Sequence, residues 1–186
     1  MKYFASKEAA GFGFKDILYE KKDWVGRITI NRPESFNCYT TSTLQELITA
    51  IDDASNDDQV GVIVLTGAGN KAFCTGGDVK EYAGVYTKSP HDYFKYMGLF
   101  AKYIESILRS GKVTIARING IAVGGGNETQ LACDLAVMAD DTYLGQVGTS
   151  VGSVACGGAT QWLSITVGDR RAREMLFLNS RIPAAK

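Results

Sequence analysis

The chain has 186 residues, 45% of them hydrophobic and 22% charged, which fits one globular domain with room for a core. Twenty basic and twenty acidic residues give a formal net charge of +0, so no basic field argues for nucleic acid as a partner. No apolar run approaches the ~20 residues that cross a membrane, so no membrane partner is expected. The first ten residues include Lys7 and Glu8 and do not read as a secretory signal. Cys38, Cys74, Cys133 and Cys156 lie far apart with no C-x-x-C, which suits reduced thiols in a cytoplasm. With a single histidine, His91, no metal site is expected.

Residues 1–13, with Gly11 and Gly13, read as a mobile arm, and residues 14–186 as one core without a dividing linker. Ile17–Tyr19 and Val25–Ile30 are β-rich runs separated by Lys21, Lys22 and Asp23, the pattern of a hairpin, and Pro33 lies just past its end. Thr41 or Ser42 is placed to cap a helix to about Ala54, with Leu44, Leu47, Ile48 and Ile51 on one face. Val60–Thr66 is a continuous apolar run, as in a strand buried on both sides. Gly67 to Ala72 spells G-x-G-x-x-A, the dinucleotide fingerprint, but A-F-C-T-G-G follows where that fingerprint needs helix, so a nucleotide site is not expected.

Asp78 with Glu81 three residues on has the form of a capping box before a short helix, Val79–Tyr86. A longer helix runs from Pro90 to about Leu108, with Tyr93, Tyr96, Phe100, Tyr103, Ile104 and Ile107 as its core stripe. His91, in its first turn, reads as a surface residue. Leu135–Ala139 reads as a buried strand and Tyr143–Val147 as a further one. The small-residue stretch from Gly148 to Gly158 is expected to lie close to a ligand or another backbone. Gly158–Val167 and Arg170–Leu178 suggest two more helices, and the alternation of strand and helix implies an α/β fold.

Chemistry concentrates in two glycine-rich turns. The apolar run Val113–Ile118 leads into N-G-I-A-V-G-G-G-N-E, where Gly124, Gly125 and Gly126 open a helix that carries Glu128 in its first turn. Glycines let a ligand oxygen approach backbone N–H groups, and a helix start leaves such groups unpaired. The upstream turn Ala72–Asp78, A-F-C-T-G-G-D, offers a second set. Two turns that each give one N–H to the same oxygen would stabilise negative charge developing there. Glu128 is a proton carrier or, alternatively, a helix-start carboxylate answering the helix dipole. Cys74 beside the turn raises a nucleophilic thiol as a further option, although no histidine lies near it in sequence.

The ordered series I-T-I-N-R-P, G-V-I-V-L-T-G, A-F-C-T-G-G-D-V-K-E-Y and N-G-x-x-x-G-G-G-N-E-x-x-x-x-C-D resembles the crotonase, or enoyl-CoA hydratase/isomerase, superfamily from about Phe14 onward. The resemblance implies a crotonase-like spiral of ββα turns in two stacked sheets. It also implies that the C-terminal helices of that family would lie beyond Lys186, and that the partners are an acyl-CoA thioester and further copies of the chain, as a homo-trimer or dimer of trimers. No separate cofactor is implied, because coenzyme A enters as part of the substrate. By position in the motifs, the N–H groups of Gly77 and Gly125 would form an oxyanion hole and Glu128 would match a catalytic glutamate. Ala72, Cys74, Thr75, Gly76, Asp78, Gly124 and Gly148 would line the substrate.

Hydratases of the family carry a second glutamate in G-Q-x-E, where this chain has Gly145-Gln146-Val147-Gly148. Within the family, C-T-G-G-D-V-K-E-Y, G-G-G-N-E and G-G-A-T-Q-W are similar to ring-cleaving hydrolases that act on 6-oxocyclohex-1-ene-1-carbonyl-CoA in anaerobic aromatic degradation. Their G-P-K is replaced by Gly148-Thr149-Ser150, and their aspartate by Gln161. This resemblance implies ring-opening hydrolysis to 3-hydroxypimeloyl-CoA. Thr75, Tyr82 and Tyr86 are candidate polar helpers that no motif assigns. The alternatives are a hydratase or isomerase on another acyl-CoA, and a non-catalytic CoA-binding or assembly module.

Overall fold

The computed structural model describes residues 7–186, so the expected mobile arm falls in part, at residues 1–6, outside the described residues. Its remainder includes a 3-10 turn, Ala9–Phe12, whose Phe12 stacks on Phe14 at 5.1 Å and meets Tyr19 edge-on at 6.0 Å.

Strands β1 (Ile17–Lys22) and β2 (Val25–Ile30) form the expected antiparallel hairpin. Asp23 and Trp24 close it with φ of 52° and 67°, the left-handed pair that matches strand twist. β1 runs three residues past Tyr19, because Lys21 is not a solvated strand end. Its ammonium is held at 2.7 Å by both Asp53 and Asp57. Those aspartates belong to, and follow, helix α1 (Thr41–Asn56), which is capped by Thr40 rather than by Thr41 or Ser42. The Thr43 N–H donates to Thr40 Oγ1 at 3.2 Å, and Thr43 Oγ1 accepts from the Thr40 N–H at 3.1 Å.

The remaining elements come in a repeating order. β3 (Val62–Gly67) and β4 (Ala72–Cys74) precede α2 (Val79–Gly84) and α3 (Pro90–Leu108). β5 (Val113–Ile118) and β6 (Ile121–Val123) precede α4 (Gly125–Ala132). β7 (Leu135–Met138) and β8 (Tyr143–Gly145) precede α5 (Ala159–Val167), α6 (Asp169–Leu178) and the short β9 (Ile182–Pro183). The first strand of each repeat joins one sheet, of order β1-β2-β3-β5-β7, and the second joins another, of order β4-β6-β8-β9. Apart from the antiparallel pairs β1–β2 and β8–β9, all pairings are parallel. This is a ββα spiral in two sheets.

Two sequence expectations fail for tertiary reasons. Leu135–Ala139 is not a buried strand: Leu135 and Val137 of β7 are 57% and 58% exposed, since β7 is the sheet's edge and pairs only with β5. Glu81 does not complete a capping box at Asp78. Its carboxylate accepts from the Thr41 N–H at 3.0 Å and so serves the start of α1 instead. The stretch Gly67–Ala72 passes from β3 into β4 without helix, as the reading against a nucleotide site requires.

The main core packs Leu44, Leu47 and Ile51 of α1 and Tyr96, Phe100, Tyr103, Ile104 and Ile107 of α3 against the sheets; Tyr93 stays 40% exposed. A smaller cluster, Ala159, Leu163, Ala172 and Met175, joins α5 to α6. His91 is exposed, as expected.

Candidate active site

The two glycine turns follow the adjacent parallel strands β4 and β6, so the fold carries them to the same edge. They touch backbone to backbone. A methyl group added to Gly76, whose φ is 92°, would lie 3.0 Å from the Gly125 nitrogen; one added to Gly126 would lie 1.9 Å from the Cys74 carbonyl oxygen. Only glycine tolerates that approach.

Tyr39 knits the first turn to the chain before α1. Its N–H donates to the Gly76 carbonyl at 2.9 Å, and the Asp78 N–H donates to its carbonyl at 2.9 Å. The pairing skips Gly77. Among the described residues the N–H groups of Gly77 and Gly125 donate to no protein acceptor, and both glycines are half-buried. The second N–H opens α4 and carries the partial positive charge of a helix start. The turns that carry the two N–H groups singled out by the sequence therefore meet at one sheet edge.

Tyrosine hydroxyls face both turns. A methyl on Gly125 would fall 1.8 Å from the Tyr39 hydroxyl, and one on Gly77 would fall 1.7 Å from that of Tyr82 and 2.8 Å from that of Tyr96. Tyr82 and Tyr96 hydrogen-bond to each other at 2.7 Å. Tyr86 stacks obliquely on Tyr96 at 4.9 Å, and its hydroxyl bonds Thr41. Sequence reading places Tyr96 in the core by periodicity and gives no sign that its hydroxyl reaches a glycine. Tyr39 carries no sequence signal at all, because its role comes from a bridge to a residue 38 positions away.

Glu128 is 3% exposed, in the first turn of α4. Its Oε1 accepts from the Gly157 N–H at 2.6 Å. Burial raises its pKa above the ordinary glutamate value, and the N–H groups of Gly157, Ala159 and Cys156 partly offset that rise. The small-residue loop before α5 thus packs against this acid. Glu128 also answers a helix dipole, but that of α5 as well as its own. A buried carboxyl with a raised pKa, on the helix that Gly125 opens, is suited to moving protons.

The other expected site residues divide. Asp78 is the cap of α2, accepting from the Lys80 N–H at 2.9 Å and from Arg32 at 3.1 Å. Burial pushes its pKa up, but Lys80, Arg32, Cys38 and Glu81 outweigh that and hold it low. Cys74 is wholly buried and its thiol is pushed up to about 12 by burial, so it is not a thiolate nucleophile. Ala72 is also buried; its carbonyl accepts from Asn37 at 2.7 Å. Any part these two play toward a ligand rests with backbone atoms. Thr75 is half-buried and donates to the Phe36 carbonyl at 3.3 Å. Gly76 and Gly124 flank the paired donors. Gly148 opens a 3-10 turn, Gly148–Val151, where a methyl would lie 3.0 Å from the Ser153 carbonyl. Among the described residues no cluster of His, Cys, Asp and Glu could hold a metal ion, and no helix is long and apolar enough to cross a membrane.

Fold and site together define a ββα-spiral protein with an unbonded backbone donor on each of two touching turns and a buried acid on the helix that one of them opens. The chain belongs to the enoyl-CoA hydratase/isomerase family, which it matches over residues 20–186. It is 43% identical over 145 residues to a 6-oxocyclohex-1-ene-1-carbonyl-CoA hydrolase of Geobacter metallireducens, covering 78% of this chain and 38% of that protein. The protein of the same name from Thauera aromatica is 42% identical over the same length and share. The chain thus spans little more than a third of the length of these curated relatives. Among solved structures, an enoyl-CoA hydratase from Bacillus anthracis superimposes with a TM-score of 0.86 at 32% identity, over 92% of this chain and 66% of that one.

Proposed function

We propose that the protein opens the ring of a cyclic oxo-enoyl-CoA thioester of the 6-oxocyclohex-1-ene-1-carbonyl type by hydrolysis, giving a 3-hydroxypimeloyl thioester. The observation that carries this reading is the pair of unbonded N–H groups at Gly77 and Gly125 on touching turns, with a buried, pKa-raised Glu128 on the helix that Gly125 opens, in a chain over 40% identical to proteins of that name. The thioester carbonyl sits between the two N–H groups. Water adds to the ring double bond, and the resulting charge is held on the thioester oxygen as an enolate. A second water then attacks the ring ketone, the adjacent C–C bond breaks, and its electron pair enters the same enolate. Fixed donors favour both charged states over the neutral carbonyl. Glu128 takes a proton from water and returns one to carbon.

The absence of an acid at Gly148 supports this reading over a two-glutamate hydratase. The overlap with solved hydratases keeps single-acid hydration of another acyl-CoA as the second reading. Mass spectrometry on the 6-oxocyclohexene thioester separates them. Ring cleavage gives an acyclic product with a new carboxylate and two added waters, whereas hydration adds one water and leaves the ring closed. No turnover of any acyl-CoA would leave a binding module. The same assay on Glu128→Gln tests the acid, and wild-type rates would exclude it.

A further inference from the structure

Tyr82 and Tyr96 form a pair whose protons do not balance internally. Each phenol has one O–H; a single 2.7 Å bond joins them, and neither hydroxyl bonds any other described residue. One proton is left to donate. Tyr96 is 3% exposed and enclosed by core, whereas Tyr82 is half-buried on the short helix α2. The outward proton therefore belongs to Tyr82, with Tyr96 donating to it. Burial raises both phenols above their ordinary pKa, so both remain protonated and able to donate at neutral pH.

The spare proton faces the site. The Tyr82 hydroxyl lies over the Cα of Gly77, the residue that carries one of the two free N–H groups. Charge on Cys156 acts on the Tyr82 hydroxyl, and charge on Glu128 acts in turn on Cys156, which puts all three in one neighbourhood. The pair thus stands on the same edge as the acid, with a proton that no acceptor among the described residues takes.

We propose that Tyr82, oriented by Tyr96, donates a hydrogen bond to a second oxygen of the substrate, the ring ketone. The assignment rests on the reading above. In such a thioester the ketone and thioester carbons are separated by one carbon, so a thioester oxygen at Gly77 and Gly125 keeps the ketone oxygen beside it. When water loses a proton to Glu128 and its oxygen bonds to the ketone carbon, the C=O electron pair moves onto the ketone oxygen, which Tyr82 holds. That pair then re-forms C=O while the ring C–C bond breaks toward the thioester enolate. The proton on Glu128 goes to the α-carbon, and a carboxylic acid is left at the chain end. Tyr82 serves as catalytic donor and Tyr96 as its positioning residue.

The test compares wild type, Tyr82→Phe and Tyr96→Phe in two measurements: turnover of the 6-oxocyclohexene thioester, and the Kd of cyclohexanecarbonyl-CoA, which has no ring oxygen. Tyr82→Phe should lower turnover by on the order of 10²–10³-fold, as for other oxyanion donors. Tyr96→Phe should lower it by about three- to tenfold, the loss of one orienting hydrogen bond. Neither should move the Kd of the ketone-free ligand, which also reports that the site is folded. Unchanged turnover in Tyr82→Phe, a parallel loss of ketone-free binding, or a larger loss in Tyr96→Phe than in Tyr82→Phe would each overturn the assignment. A wild-type protein that does not open the ring overturns the functional reading first, and this assignment with it.

Discussion

The two glycine turns do the same thing with their backbones and opposite things with their acids. Each leaves one N–H unbonded at the shared edge, and each is followed by a carboxyl residue: Asp78 directly after Gly77, Glu128 three positions after Gly125. Asp78 is spent on structure. It caps α2, pairs with Arg32 and is held below the ordinary carboxylate range. Glu128 meets only backbone N–H groups, has no basic partner among its bonds, and is raised by burial. Spacing decides the difference. One residue after the glycine, a carboxylate falls on its own helix start; three residues on, it is carried round the helix to the neighbouring loop. An acid near a glycine turn is a chemical group only where no cation and no cap claims it.

The largest effect should come from separating the turns. Gly126→Ala puts a methyl on the Cys74 carbonyl, where backbone must yield. It should lower stability by about 1–3 kcal/mol in a denaturant titration and, by spoiling both donors, turnover by on the order of 10²-fold or more. Next, Glu128→Gln and Asp78→Asn should split cleanly. The first should reduce turnover by about 10²–10⁴-fold with the fold intact. The second should reduce stability by about 2 kcal/mol, through loss of the charged bond to Arg32 while the amide oxygen keeps the Lys80 cap, with a much smaller change in turnover. Equal kinetic losses in both would erase the distinction between the turns.

The pH dependence should also be opposite in sign. Glu128 has a raised folded pKa, so its contribution favours folding below the ordinary glutamate range and is lost as pH rises through the raised value. Asp78 has a lowered one, so its contribution is present above about pH 4 and lost as pH falls through the lowered value. Glu128→Gln should therefore gain stability relative to wild type as pH rises, and Asp78→Asn should converge on wild type in acid. Melting curves across pH check both. The smallest effect is the control away from both turns: Thr40→Ala removes the cap of α1 and should cost about 1 kcal/mol in the same titration.

Much of this was legible from residue pattern. The hairpin, the longer helices and the parallel strands follow from alternation, helical spacing and apolar runs, because those periodicities are imposed by local backbone geometry. Gly77, Gly125 and Glu128 are picked out by their position in the family's ordered motifs, since a glycine run by itself fits a tight packed turn equally well. The short strands β4 and β6 were less legible; three residues each, they read as parts of their turns. Lys21 reads as part of the hairpin's connection and Glu81 as a local cap, because their true partners, Asp53, Asp57 and Thr41, are more than thirty residues away.

The amino-acid order by itself determined the family, the spiral of elements and the residues proposed as the paired donors and the acid. Those depend on short-range spacing along the chain. Only the tertiary structure decided that the two turns meet, that Asp78 is consumed by Arg32 while Glu128 is left to the Gly157 N–H, and that Tyr39, Tyr82 and Tyr96 ring the glycines with hydroxyls. Each of those facts is a contact between distant segments. It exists because parallel strands in a spiral bring residues together at a sheet edge that nothing in their sequence neighbourhoods records.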